Sequence, residues 1–324
     1  MMDIKPTQKV VFINNKVKTT LSYNVACKLG DKGYKTLLID ADPQCNMTFL
    51  SLGKMRYTEL GLFDTIYRVF ERIIQSDIQI VQPINIRSNL DLLPHLSFGD
   101  VDDILTTSYG EILSSVSSSR FMVTSAFQRY INEISLKNNY DIVLIDVSPS
   151  MTGSLNKTIL LSADFFVTIC NPDLFSKQGI VNLDKILTWK RERKNMELIA
   201  ARSQNIPFQN MLTDNLTYMY VVNEFNVYKD EVISDHDMWI KDMSEDLRRI
   251  SLELSRNLIE LSASSPIGMT QDYSRIAAMG QQKHKPMYEF NDEDVAKSME
   301  LLHKCKDQME ELVDEFITRI SHWR

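Results

Sequence analysis

Two lysines and two threonines stand almost side by side in this chain: Lys16, Lys18, Thr19 and Thr20, in the stretch "NNKVKTT". They follow an apolar run, Val10–Ile13. Farther along, Asp40 closes the run "KTLLID" with Asp42 just beyond it, Asp146 closes "YDIVLID", and Asn223 closes "LTYMYVVN". These residue types suit phosphoryl transfer. A lysine neutralises phosphate charge. A threonine hydroxyl and aspartates supply the hard oxygen donors that octahedral Mg2+ takes, partly through water. A further aspartate can orient an attacking water. A helix starting near Lys18 aims its first amides at the same phosphates.

One polar loop after a strand means little, because loops are polar in general. Lysine, threonine and three aspartates converging on one edge are harder to dismiss. They converge only if the apolar runs before them are strands of one sheet, since open α/β sheets bind ligands beyond the carboxyl ends of their strands. The pattern predicts strands at 9–13, 35–40, 140–146, 164–170 and 216–223, with a short one at 90–94. It predicts helices at 19–29, near 153–162 and at 176–195, with mostly helical segments around 61–76 and 100–137. Gly30 and Gly33 can end the first helix. Strands separated by helices imply right-handed crossovers. The fold class is therefore α/β: a doubly wound, mainly parallel sheet with helices on both faces.

Two further segments look like additions to that core. In 225–262, Ile240, Met243, Leu247, Ile250, Leu254, Leu258 and Leu261 fall on one helical face. Near the C-terminus, Val295, Met299, Leu302, Cys305, Met309, Leu312 and Phe316 do the same. Most such stripes face their own domain's core; a partner or dimer face is the sharper alternative.

Bulk properties narrow the classes. The net charge of −7 over 324 residues excludes a globally basic nucleic-acid coat, though not a local patch. Cys27, Cys45, Cys170 and Cys305 form no Cys-x-x-Cys pair. That argues against zinc, a disulfide framework and an iron–sulfur role, and fits a reducing cytoplasm. No segment is apolar for long enough to span a bilayer, so a cytoplasmic protein with no membrane partner is expected.

On its motifs the chain resembles the ParA/MinD family of deviant Walker P-loop ATPases, and the ParA-like branch in particular. The family's second motif, Asp-x-Asp-Pro-Gln-Gly-Asn, is matched by "DADPQCN", with Cys45 in place of a glycine. Its third, a hydrophobic strand and then Asp-x-x-Pro-Ser, is matched by "IVLIDVSPS". "YVVNEF" resembles its nucleotide-base strand, and "SSPIGMTQDYSRIAAMGQQKHKPMYEF" the loop before its last helix. The resemblance implies a single ATPase domain over 1–324. Extra, mostly helical segments lie near 51–135 and 225–262, and a long C-terminal helix near 291–322. It also implies ATP and Mg2+ as cofactors, and it implies roles. Lys16 reaches across a dimer to the partner's nucleotide, Lys18 is the phosphate-loop lysine, and Thr20 contacts phosphate. Thr19 binds Mg2+, Asp146 holds it through water, and Asp40 supports its shell. Asp42 orients the attacking water, and Asn223 touches the adenine.

The first motif of that family runs Lys-Gly-Gly-x-Gly-Lys-Thr-Thr. "NNKVKTT" has everything but the glycines, two before Val17 and one after it. Glycines permit the backbone angles and the close approach by which successive amides wrap phosphate. Losing three residues removes about 10 Å of contour. Such a loop should bind ATP poorly and hydrolyse it hardly at all. Natural decay to a pseudo-ATPase, a deliberate loss of function, and residues present in the molecule but absent from the sequence are the competing explanations. Drift alone should have eroded Lys18, Thr19, Asp42 or Asp146 as well.

The resemblance implies an ATP-controlled switch between monomer and sandwich dimer that positions or segregates cargo such as plasmid or chromosomal DNA. A protein partner would stimulate hydrolysis or dock on the extra helices. Nonspecific DNA is a candidate partner through Lys185–Lys194, Lys283 and Lys285. The closing stretch "DQMEELVDEFITRISHWR" is amphipathic but acidic until Arg319, which argues against membrane docking. The alternative is a nucleotide-gated or pseudo-ATPase scaffold subunit of a larger regulatory or defence assembly.

Overall fold

Gln8–Ile13 forms the first strand, β1, and every residue of it is buried. A strand covered on both faces must be apolar on both, and "VVFI" is. Val11 and Ile13 point into one core and Val10 and Phe12 into the other, as the two-residue period of a strand requires. The structure is a computed structural model that describes residues 7–13, 18–61, 64–74, 81–95, 125–149, 153–180, 188, 217–225, 227–228, 231–254, 265–295 and 298–321.

The described strands are β1, β2 (Thr36–Ala41), β3 (Ile84–Arg87), β4 (Leu90–Leu93), β5 (Ile142–Val147), β6 (Phe165–Cys170), β7 (Thr217–Phe225), β8 (Val227–Tyr228), β9 (Glu231–Val232) and β10 (Gly268–Gln271). An eight-stranded sheet runs β10-β7-β6-β1-β5-β2-β4-β3, and β8 and β9 form a separate hairpin. All neighbours in the large sheet are parallel except β3 and β4. The expected doubly wound α/β fold is therefore present. Four short strands were not anticipated: β3, β10 and the β8–β9 pair. They are edge or hairpin pieces of two to four residues, too short and too polar to leave a periodic signal.

Helices α1 (Lys18–Asp31), α2 (Asn46–Thr58), α7 (Ser274–Lys283) and α9 (Met299–Ser321) cover one face. Helices α3 (Ile66–Ile74), α4 (Ala126–Asn138), α5 (Ser154–Ser162) and α6 (Ser234–Leu254) cover the other. Both stripes singled out in the sequence face the core where they are described. In α6, Met243 and Leu247 are buried against the sheet; the part of that stripe beyond 254 lies outside the described residues. In α9, Leu302, Cys305, Met309, Leu312 and Phe316 are buried in the opposite core. Gly268 of β10 makes room for this helix: a Cβ there would meet Leu312 Cγ at 2.7 Å.

The single long helix expected near 291–322 is two helices. A short helix α8, Asp292–Val295, precedes α9. Asn291 and Asp294 cap α8 reciprocally, each accepting the other's backbone N–H. The Ser298 N–H donates to the Val295 carbonyl, and the Ser298 carbonyl then accepts from Leu302 to open α9. Met299, counted in the stripe, is 48% exposed as a result.

Candidate functional site

The register of the sheet assembles the site. In the parallel pairing of β1 with β5, Phe12 lies opposite Asp146; in that of β2 with β5, Asp40 lies opposite Asp146. The carboxyl ends of three adjacent strands thus share one edge. Four residues separate Ile13 from Lys18, the first residue of α1. Lys16 is among those four and lies outside the described residues.

Lys18, Thr19, Asp42 and Asp146 come together at that edge. Lys18 Nζ is 3.2 Å from Asp146 Oδ1 and 3.9 Å from Asp42 Oδ2. The Thr19 hydroxyl donates to Asp146 Oδ2 at 2.7 Å. Lys18, Asp42 and Asp146 are all buried. Asp40 plays a different part from the others. Its Oδ2 accepts from the Thr48 backbone N–H and hydroxyl, at 2.8 and 2.7 Å, and its Oδ1 accepts from the Asp42 N–H at 3.1 Å. It ties the turn after β2 to the start of α2. Asp42 Oδ1 accepts from the Gln44 N–H at 3.0 Å. Cys45 then caps α2 in the left-handed region at φ 56°. A residue with a Cβ pays a cost there, which gives a physical reason for the glycine of the resembled motif.

Burial governs the electrostatics. It pushes the Asp40 carboxyl up to about 7, with the negative charge of Asp146 adding to the rise and the Thr48 hydrogen bonds opposing it. Burial also raises Asp146, held back by Lys18 and Thr19. His95 packs beside this turn, its N–H donating to Thr48 Oγ1 at 2.9 Å. Burial drops its imidazole to about 4, with Asp42 pulling the other way. A histidine whose folded value lies below its unfolded value stabilises the fold fully above about pH 6.5 and loses that contribution as pH falls toward 4. The expected loss between pH 7 and 5 is about 2 kcal/mol. Urea unfolding at the two pH values should show that His95→Gln loses correspondingly less.

Thr20 and Asn223 border a neighbouring cavity of about 210 Å3, together with Glu224, Thr270, Asp272, Ala277 and Gln281. Gln281 Nε2 donates to Thr20 Oγ1 at 3.0 Å, and the Thr270 hydroxyl donates to Asn223 Oδ1 at 2.8 Å. Asn171 Nδ2 donates to Glu224 Oε2 at 2.6 Å. Thr48, His95, Glu224 and Gln281 were not foreseen. Thr48 had a faint signal, a hydroxyl in the first turn after an Asp-x-Asp-Pro turn. Glu224 and Gln281 lie in stretches already matched to motifs, "YVVNEF" and the segment before the last helix, but were not singled out there; His95 had no signal.

The donor set suits a hard cation with phosphate. Thr19, Asp42 and Asp146 offer only oxygen, and among the described residues no group of three or more His, Cys, Asp and Glu is placed to hold a metal alone. Lys18 Nζ and Asp146 Oδ1 are buried, and apart from ion pairing they have no hydrogen-bond partner. A phosphate oxygen and a metal could take over from that contact.

A family model described as an AAA domain matches residues 7–200. An uncharacterized protein of Methanocaldococcus jannaschii is 32% identical over 187 residues, covering 56% of this chain and 64% of that protein. A virulence plasmid ParA family protein of Chlamydia trachomatis is 28% identical over 178 residues, covering 53% and 58%. The chain thus spans less than two thirds of the length of these two curated relatives. A crystal structure of a Corynebacterium diphtheriae protein matches with a TM-score of 0.68 at 24% identity, covering 85% of this chain and 97% of that one. The ATP complex of an McdA variant from Cyanothece matches with a TM-score of 0.59 at 14% identity, covering 95% and 96%. Both structures share the fold.

Proposed function

Since the chain belongs to the AAA domain family, as a P-loop ATPase of ParA/MinD type, we propose that it is built to use Mg2+-ATP as a switch between monomer and sandwich dimer and so to position or segregate cargo such as plasmid DNA. The observation that carries this reading is the convergence of Lys18, Thr19, Asp42 and Asp146 beside a cavity bordered by Thr20 and Asn223. Lys18 and Thr20 would meet phosphate, Thr19 and Asp146 would hold Mg2+, and Asn223 would meet the base. Mg2+ would neutralise charge on the phosphates during transfer. Asp42 would orient the attacking water, and Lys16 would act across the dimer. Asp40 would support the metal's surroundings indirectly, by fixing the turn that carries Asp42.

A protein contact at this edge has a second support. Leu174 and Phe175, in the segment after β6, are 60% and 84% exposed, although large apolar side chains are normally covered. A second copy or a partner protein would cover them. The candidate DNA contacts divide. Lys185–Lys194 lies outside the described residues apart from Thr188. Lys283 is paired with Asp294 at 3.0 Å. No described helix is long and apolar enough to cross a membrane, and a cytoplasmic setting is part of this proposal.

The test is oligomeric state by analytical ultracentrifugation, on a chain whose phosphate loop has its three glycines inserted. Mg2+-ATP should convert monomer to dimer, and DNA retention should require that dimer. A variant that binds ATP and stays monomeric would overturn the switch. The scaffold reading, in which occupancy or assembly matters more than turnover, is favoured by one feature: in the short-loop chain the carboxylates are already engaged by Lys18. A hetero-complex indifferent to ATP and DNA would support it.

A further inference from the structure

Three carboxylates, Asp40, Asp42 and Asp146, are buried on one edge, and such a group is unstable without a compensating cation. Among the described residues, the only positive group in ion-pair contact with Asp42 or Asp146 is Lys18. Its side chain starts from the first residue of α1. Side chains lean toward a helix's N-terminus, so from that position the lysine reaches back toward the strand ends. A lysine there works against the helix dipole. What offsets this is the carboxylate pair, 3.2 and 3.9 Å from its Nζ. The residue is 1% exposed. A lysine normally keeps its head group in water, and this one has been drawn wholly inside.

We propose that Lys18 is the site's own counter-ion: with the short loop, its ammonium sits between Asp42 and Asp146 in place of a metal and keeps the site closed to metal and phosphate. The inference rests on the nucleotide reading above and deepens it, because it names what holds this form of the site shut. In a longer loop the same lysine would move onto phosphate and leave the carboxylates to the metal. Its single positive charge offsets one of the carboxylates, and the hydrogen bonds from the Thr19 hydroxyl to Asp146 and from the Gln44 N–H to Asp42 help to hold the other charge without a ligand. The buried ammonium contributes to the site's stability, and the same contact accounts for its lack of room.

Mn2+, with no nucleotide, is the probe. At 5 mM it should leave the melting temperature of the unaltered chain unchanged. It should raise that of Lys18→Met by about 2–4 °C, the size expected when a ligand reaches several times its dissociation constant. Equal shifts in both proteins, or none in a folded Lys18→Met, would overturn the proposal. If Lys18→Met does not fold, the double variant Lys18→Met with Asp146→Asn decides. It should recover a urea midpoint above that of Asp146→Asn alone, because it removes a buried ammonium left with only the longer, 3.9 Å contact to Asp42. A midpoint no higher than that of Asp146→Asn would show that Lys18 is not held by this charge. The arms need no ATP, so their failure leaves the family reading intact. Failure of the glycine-inserted chain to bind ATP would count against that reading and leave the counter-ion untouched.

Discussion

Mg2+-ATP is expected to bind the chain as it stands at least ~100-fold more weakly than a variant with two glycines inserted between Lys16 and Val17 and one between Val17 and Lys18. The reason is geometric. β1 ends at Ile13 and α1 begins at Lys18, and four residues of ordinary backbone cannot both connect them and wrap a phosphate chain. Each charge-assisted amide contact is worth about 1.5–3 kcal/mol. Losing two of them accounts for a hundredfold by itself, since ~1.4 kcal/mol is tenfold. Lys18 adds to the deficit, because it must leave Asp146 before it can meet phosphate. The measurement is isothermal titration of both proteins with ATP and Mg2+, supported by steady-state hydrolysis. Hydrolysis should be undetectable in the first protein and present in the second. Equal affinities would mean that the short loop is no obstacle, and that phosphate is held by residues other than those near Lys18.

How much of this was legible in the sequence depends on the range of the signal. The five long strands are runs of Val, Ile, Leu and Phe, and each declares itself locally. Their order across the sheet does not, yet the polar residue at each run's end already pointed to one edge. The β1–β5–β2 register then put Asp40 and Asp146 opposite each other. Polar strand ends therefore made Lys18, Thr19, Asp42 and Asp146 candidates, and the register brings their strands to one edge. Asp40 was harder. Its spacing from Asp42 suggests a metal neighbour, while its partners, Thr48 and the turn amides, depend on how the chain doubles back after Pro43. His95 enters the site from a segment that carries no motif, and Gln281 from a motif whose resemblance did not single it out. The closed contact of Lys18 was hidden for another reason. A missing residue shows in the sequence as an absence, and only packing shows what moved into the space.

Phe316→Ala is expected to destabilise the chain by about 3–5 kcal/mol, whereas Met299→Ala on the same helix should stay within about 0.5 kcal/mol. Both residues belong to one stripe at helical spacing, so periodicity predicts the same fate for both. Phe316 is fully buried against the sheet, in the core shared with Leu312 and Met309. Truncating it removes contacts on all sides and leaves a cavity, because the surrounding strands cannot collapse into it. Met299 stands at the first residue of α9, where the chain turns after Ser298. Its side chain is about half exposed, so little is lost. Urea unfolding of the two variants separates the readings of this helix. A large loss at Phe316 that does not vary with protein concentration is the behaviour of a core. If Phe316→Ala were mild but lowered the concentration-dependent stability of a complex, the stripe would be a docking face.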